Sequence, residues 1–198
     1  MLALIMAGGE GSRLDLGEKP LVAVGGKPMV AHVINAFQEY GCHVVVAASP
    51  KTPMTQNWCR VNGIDVISTL GEGYVEDMVS AVKDLGEMNP LFVSVSDLPC
   101  LLPDIVEKIR IAYRKSGMDA CSAWIPLSLA RDHRDILYVE IVDGTDACPV
   151  GINILRGDRI DEEQTELRIL LHEPRLAYNI NTRADLSYVN SFFRHSPH

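Results

Sequence analysis

Two rhythms of apolar and polar positions alternate along this chain. Leu2 to Ala7 is a continuous apolar run ending at Gly8-Gly9, which predicts a buried strand feeding a loop. The loop runs to about Pro20, and a brief apolar stretch, Leu21 to Val24, is followed by Gly25-Gly26. Pro28 opens a helix, because the first turn tolerates proline. Met29, Val33, Ala36, Phe37 and Tyr40 then recur at helical spacing until Gly41 supplies the stop. Val44 to Ala48 is a second buried strand, closed by Ser49-Pro50.

The alternation continues with a helix over Thr55 to Asn62, a short strand at Val66-Ile67 and a helix over Val75 to Leu85. Leu91 to Val95 follows as a strand, Ile105 to Arg114 as a helix and Ala120 to Ile125 as a strand. Strands separated by amphipathic helices indicate β-α-β units. The fold class is therefore α/β, with a Rossmann-like, mostly parallel but mixed sheet flanked by helices. After Pro126 the regularity breaks. Leu137 to Val142 and Val150 to Leu155 read as paired strands around the polar loop Asp143-Gly144-Thr145-Asp146. Glu162 to Leu171 reads as a helix, and Arg183 to Phe193 as the closing helix. No proline-, glycine- or serine-rich spacer and no internal repeat interrupts the chain, so 1–198 is read as one domain with an irregular elaboration at about 126–158.

Composition narrows the function classes. The 198 residues are 47% apolar and 22% charged, at the globular average, which excludes wholesale disorder. No run reaches the roughly 18 apolar residues of a membrane span. The apolar start lacks a basic leader, so no signal peptide is expected. The net charge of −8 argues against a nucleic-acid partner. Residues 1–60 nevertheless balance at +1, leaving −9 on the rest. Five scattered cysteines with no C-x-x-C pair suggest buried thiols in a reducing cytoplasm. The histidines show no metal-ligand spacing.

The first loop carries the chemistry. Gly8, Gly9 and Gly11 directly after a strand let backbone N–H groups approach an anion or a flat base, while Arg13 and Lys19 add charge for a triphosphate. There is no G-x-x-x-x-G-K-[ST] P-loop, and Leu14 stands where a dinucleotide fingerprint needs its third glycine. Glycines alone would equally serve a tight strand-to-loop turn. The full string, however, is A-G-G-x-G-x-R-L, then Glu18-Lys19-Pro20-Leu21, then Gly26-Lys27-Pro28-Met29. It resembles the nucleotidyltransferases that activate sugars and cofactors with nucleoside triphosphates, which implies the nucleotide-diphospho-sugar transferase type of fold. By that resemblance Gly8, Gly9, Gly11, Arg13 and Lys19 bind the nucleotide, and Arg13 and Lys19 are catalytic. Lys27 lies in a less discriminating stretch that is equally the start of a helix.

Further segments narrow the resemblance: Ser49-Pro50-Lys51-Thr52-Pro53-Met54-Thr55, Gly71-Glu72-Gly73-Tyr74-Val75-Glu76-Asp77, Pro149-Val150-Gly151-Ile152-Asn153 and Asn179-Ile180-Asn181-Thr182. Together they resemble the archaeal family of GTP:adenosylcobinamide-phosphate guanylyltransferases. The implied partners are GTP and adenosylcobinamide phosphate, with Mg²⁺ as cofactor. Gly71, Gly73 and Gly151 join the nucleotide-binding set. The alternatives are a helix N-cap region, in which Glu72, Glu76 and Asp77 merely suit the helix dipole, and for Gly151 a β-bulge. Asp97, at the end of a predicted strand in an Asp-x-Pro context, is a metal ligand by resemblance, or else a helix cap, a role that Asp104 fits better. Asn181 is a second ligand or the cap of the last helix. Trp124, Ile125 and Leu127 offer apolar contact to a corrin or belong to the core. The competing acceptors are the molybdenum cofactor and sugar 1-phosphates, and a non-catalytic nucleotide-binding regulator is the reading from a different class. An exposed apolar face would make a homodimer, but the pattern identifies none.

Overall fold

The computed structural model describes residues 1–9, 14, 16–130 and 138–195. The predicted glycine-loop residues Gly11 and Arg13 lie outside them, as does Leu137. Within the described residues the first strand β1 (Leu2–Met6) is followed by a two-stranded ribbon of β2 (Ala23–Val24) and β3 (Lys27–Pro28). Then come α1 (Met29–Glu39), β4 (His43–Ala48), α2 (Pro53–Val61), β5 (Asp65–Ser68), α3 (Tyr74–Leu85) and β6 (Pro90–Val95). The second half has α4 (Pro103–Ser116), β7 (Ala120–Pro126), β8 (Glu140–Val142), β9 (Thr145–Arg156), β10 (Glu166–Leu170) and α5 (Arg183–His195).

These strands form an eight-stranded sheet in the order β10-β7-β9-β6-β1-β4-β5, with β8 paired to β9. β1 lies parallel to β4 and β6, β4 parallel to β5, and β10 parallel to β7. Only β9 runs backwards, antiparallel to β6, β7 and β8. The expected mixed, mostly parallel α/β sheet is thus what the chain builds. Side chains alternate across β1: Ala3 and Ile5 enter a core with α1, α2 and α4, while Leu4 and Met6 enter one with α3. Burial on both faces is why these strands read as unbroken apolar runs.

Two readings change. Glu162 to Leu171 is not a helix; its second half is the strand β10, paired register by register with β7 from Glu166↔Ala120 to Leu170↔Trp124. The string Glu-Leu-Arg-Ile-Leu carries charges at both periods, and the open edge of β7 decides between them. The second strand after Pro126 begins at Thr145, five residues before the predicted Val150, so β9 extends through Pro149. Asp143 (φ 49°) and Gly144 (φ 76°) form its hairpin with β8, since both central residues of a two-residue turn need positive φ.

Gly151 has the geometry of a bulge. The β7–β9 register shifts between Ser122 and Trp124, and opposite that shift Gly151 takes φ 78°. A Cβ there would sit 2.8 Å from Val95 Cγ1. Gly151→Ala should therefore lose about 1–3 kcal/mol of stability from strained φ plus overpacking. Gly144→Ala, at positive φ but with open space around it, should lose only about 1 kcal/mol. Urea unfolding of the two variants checks the order.

Candidate active site

In the sheet order, the chain leaves β1 toward β4 and β5 on one side and returns to β6 on the other. The carboxyl ends of β1 and β6 thus flank a topological switch point, where open α/β sheets hold ligands. A cleft of about 460 Å³ opens there. Gly8, Gly9, Lys19, Gly71, Gly73 and Asp97 of the predicted set all line it. Gly151 is not in the lining; it packs against Val95, which is. Lys27 sits in the ribbon, paired with Val24.

Three segments far apart in sequence meet at the Lys19 ammonium. It donates to Asp97 Oδ2 at 2.5 Å and to Asn181 Oδ1 at 2.7 Å. The Lys19 and Asp97 side chains retain only 16% and 14% of their exposure, so this ion pair is far less screened than a surface one. Asp97 Oδ1 is buried and takes no hydrogen bond from any described residue. A buried carboxylate oxygen without a donor is costly unless a cation serves it. Among the described residues no group of three or more His, Cys, Asp or Glu is placed to hold a metal. Any divalent ion here would rest on Asp97 Oδ1 and on ligand phosphates, as Mg²⁺ commonly does.

The capping alternatives for both polar residues fall away. The N-cap of α4 is Leu102, with no side-chain bond, so Asp97 caps nothing. Asp104 is in the first turn of α4 but serves Arg175, which reaches it at 3.1 and 2.8 Å. Those hydrogen bonds hold the Asp104 carboxyl below its ordinary range. At the last helix Thr182 and Asp185 form the cap: Asp185 Oδ2 accepts from the N–H groups of Asn181 and Thr182 and from Thr182 Oγ1, while Asp185 N–H donates back. Asn181 is thereby left to turn its amide toward Lys19. Arg175 also bonds Glu173, and Ile180 N–H donates to Asp97 C=O at 3.4 Å, so the segment before α5 is tied to the residues after β6.

Lys19 is itself anchored from the neighbouring residue. The Glu18 carboxylate accepts from Met54 N–H at 2.7 Å and from Thr55 N–H and Oγ1 at 2.6 Å, capping α2 from outside it. Thr52 precedes that helix but spends its hydroxyl on Ser49 C=O. Ser49 is a second junction, donating Oγ to Gly8 C=O at 2.7 Å. Added Cβ atoms on Gly8 and Gly71 would lie 3.2 and 3.3 Å from Ser49 Cβ, and Gly71 has φ 76°. These two glycines permit close packing of three strand ends.

Sequence reasoning gave no role to Lys51, and it left Asp77 between a part in the site and a partner of the helix dipole; both line the cleft. Asp77 bonds backward to Gly71 N–H, and Lys51 Nζ donates to Gly71 C=O. Their positions in segments with wider resemblance were the available signal. Tyr74 opens α3 as expected; desolvation and then the Asp97 charge push its phenol up to about 12. Trp124 and Ile125 are buried in the core, Trp124 Nε1 donating to Ser122 Oγ.

Comparison with known proteins identifies the chain's family and relatives. Residues 3–135 match the family of the MobA-like NTP transferase domain. The chain is 29% identical over 197 residues to the adenosylcobinamide-phosphate guanylyltransferase of Methanocaldococcus jannaschii, spanning 94% of each. It is 27% identical over 198 residues to a probable molybdenum cofactor guanylyltransferase of Thermococcus gammatolerans, spanning 94% of this chain and 97% of that one. In fold it is similar to a CMP:2-keto-3-deoxy-manno-octonic acid synthetase complexed with CTP, with a TM-score of 0.72 at 17% identity over 98% of each chain.

The Glu18 clamp yields a stability test. Glu18→Ala removes three accepted hydrogen bonds from the first turn of α2 and should lower stability by about 1–2 kcal/mol. The denaturant midpoint should fall with an unchanged m-value.

Proposed function

The chain belongs to the MobA-like NTP transferase family, and from that premise we propose that it transfers GMP from GTP to adenosylcobinamide phosphate. The products are adenosylcobinamide-GDP and pyrophosphate, in cobamide (vitamin B12-type) biosynthesis. The observation that carries this reading is the Lys19–Asp97–Asn181 constellation at the switch point, set beside the glycine loop. The match to the Methanocaldococcus jannaschii relative over nearly the whole chain supports the choice of acceptor. The second reading is guanylyl transfer to the molybdenum cofactor, favoured by the Thermococcus gammatolerans relative of similar span. Five unpaired, buried thiols suit a reducing cytoplasm.

The reaction needs little acid–base chemistry. An oxygen of the acceptor's phosphate monoester is already an anionic nucleophile; it bonds to the α-phosphorus as the bond to the β-phosphate oxygen breaks. What the protein must supply is alignment of two anions and positive charge at the phosphorus. Gly8 and Gly9 let the backbone approach the phosphates, and Lys19 brings an ammonium already oriented by two oxygens. Arg13, in the same loop, adds a guanidinium whose fork suits phosphate oxygens. The unpartnered Asp97 Oδ1 fits Mg²⁺, which when bound would offset phosphate charge. For Asn181 Oδ1 to become a second ligand, Lys19 would have to turn away toward the phosphates.

Purified protein incubated with α-labelled GTP, Mg²⁺ and each acceptor should label the cobinamide phosphate and release pyrophosphate. Label on the molybdenum cofactor alone would sink the first reading. GTP binding without transfer to any acceptor would make the chain a regulator. Lys19→Ala should fold normally and lose about 10²–10³ in kcat/KM, the scale of one preorganised charge contact. A near-normal kcat/KM would remove Lys19 from the chemistry.

A further inference from the structure

The lining of the cleft falls into two chemically distinct groups. Gly8, Gly9, Lys19 and Asp97 are those the proposed function gives to the phosphates. The other is the turn Gly71-Glu72-Gly73, gripped from both sides by charged groups of neighbouring elements. Lys51, in the turn after β4, donates Nζ to Gly71 C=O at 3.2 Å. Asp77, in the first turn of α3, accepts on Oδ1 from Gly71 N–H at 2.9 Å and Glu72 N–H at 3.3 Å.

Neither group is used up by this grip. Asp77 is only 7% exposed and lines the cleft, yet its Oδ2 takes no hydrogen bond from any described residue. An ammonium carries three donors, and Lys51 spends one on the protein. The Gly71 turn therefore brings to the cleft a carboxylate oxygen, which can only accept, and an ammonium, which can only donate. The ligand edge that satisfies both must present donors next to an acceptor.

The bases differ sharply on this point. Guanine sets two donors side by side, N1–H and the 2-amino group, with the O6 acceptor adjacent. Adenine and cytosine each place a ring-nitrogen lone pair beside their amino group, so a carboxylate there gains one hydrogen bond against lone-pair repulsion. A site with buried polar groups rejects a ligand that leaves them unpaired far more strongly than an apolar pocket rejects a misfit. We infer that Asp77 and Lys51 select the nucleotide: Asp77 Oδ2 accepts from N1–H and the 2-amino group of guanine, and Lys51 donates to O6. The inference rests on the guanylyl-transfer reading and names the residues that make the base guanine.

The test is equilibrium binding, measured by competition with a fluorescent GTP derivative and so independent of any acceptor. ITP lacks the 2-amino group, and XTP carries an oxygen in its place. Wild-type protein should prefer GTP to ITP by about tenfold, the scale of one hydrogen bond to a charged group. In Asp77→Asn the amide oxygen still serves the Gly71 turn and the NH₂ faces the cleft. The GTP preference over ITP should then fall to about one, and XTP should gain at least about tenfold relative to GTP. Lys51→Met should weaken GTP and ITP together, since both keep O6, and leave their ratio unchanged. It also carries the test if Asp77→Asn fails to fold: a Lys51→Met protein that binds GTP as tightly as wild type overturns the assignment. An Asp77→Asn protein with the wild-type ranking of GTP, ITP and XTP overturns it as well, while leaving guanylyl transfer standing. Wild-type protein that binds ATP or CTP as well as GTP overturns the guanylyl reading and this inference together.

Discussion

The Lys19 ammonium is where the molecule closes on itself. Its two oxygen partners come from residues 78 and 162 positions further along the chain. Ordering a glycine-rich loop over such separations is entropically expensive. The contact holds because each participant is already fixed by something else. Glu18 is locked to α2, Asp97 follows directly on a buried strand, and Asn181 is freed by the Thr182–Asp185 cap. A partly buried ion pair adds little net stability against its desolvation, so the arrangement is better understood as positioning than as scaffolding. The scaffold is the pair of apolar layers around β1; the ion pair registers Lys19 upon it.

The glycines divide by what they make possible. Gly8 and Gly71 let the ends of β1, β4 and β5 converge on one serine, Ser49, which draws the two halves of the cleft floor together. Gly151 sits at the irregularity of β9, packed against Val95, which lines the cleft. Gly73 is different again: its φ of 164° is ordinary extended backbone, so what it contributes is the small profile of a residue without a Cβ next to Glu76.

How much of this could be read from the sequence follows from range. The strands and helices up to Pro126 were legible because each is set by its own apolar period, and α1, α3 and α4 formed close to where that period placed them. Segment Glu166–Leu170 was not, because its charges and apolar residues satisfy both periods and the deciding partner, β7, lies more than forty residues upstream. Lys19 and Asp97 were legible through local strings. The grip of Asp77 and Lys51 on Gly71 was not, because their partner is backbone and backbone leaves no residue type to recognise. The cap of α2 was hidden likewise, since Glu18 serves it from 36 and 37 positions away while Thr52, the local candidate, turns elsewhere.

Charge explains why the cleft is built in this manner. Its described lining holds two cations, Lys19 and Lys51, against two carboxylates, Asp77 and Asp97, so those groups alone cancel. A neutral cleft in a protein of net charge −8 gains little from a triphosphate by long-range attraction. Binding must then come from short-range geometry, meaning N–H groups, an oriented ammonium and a read base, together with added positive charge. On the proposed reading Arg13 would be one source, and a divalent ion arriving with the nucleotide the other. That second source would give a use to Asp97 Oδ1, which takes no hydrogen bond from any described residue: were it paired within the protein, such an ion would lose that anchor. On that reading, the oxygen that is costly in the empty cleft would complete the charge balance of the filled one.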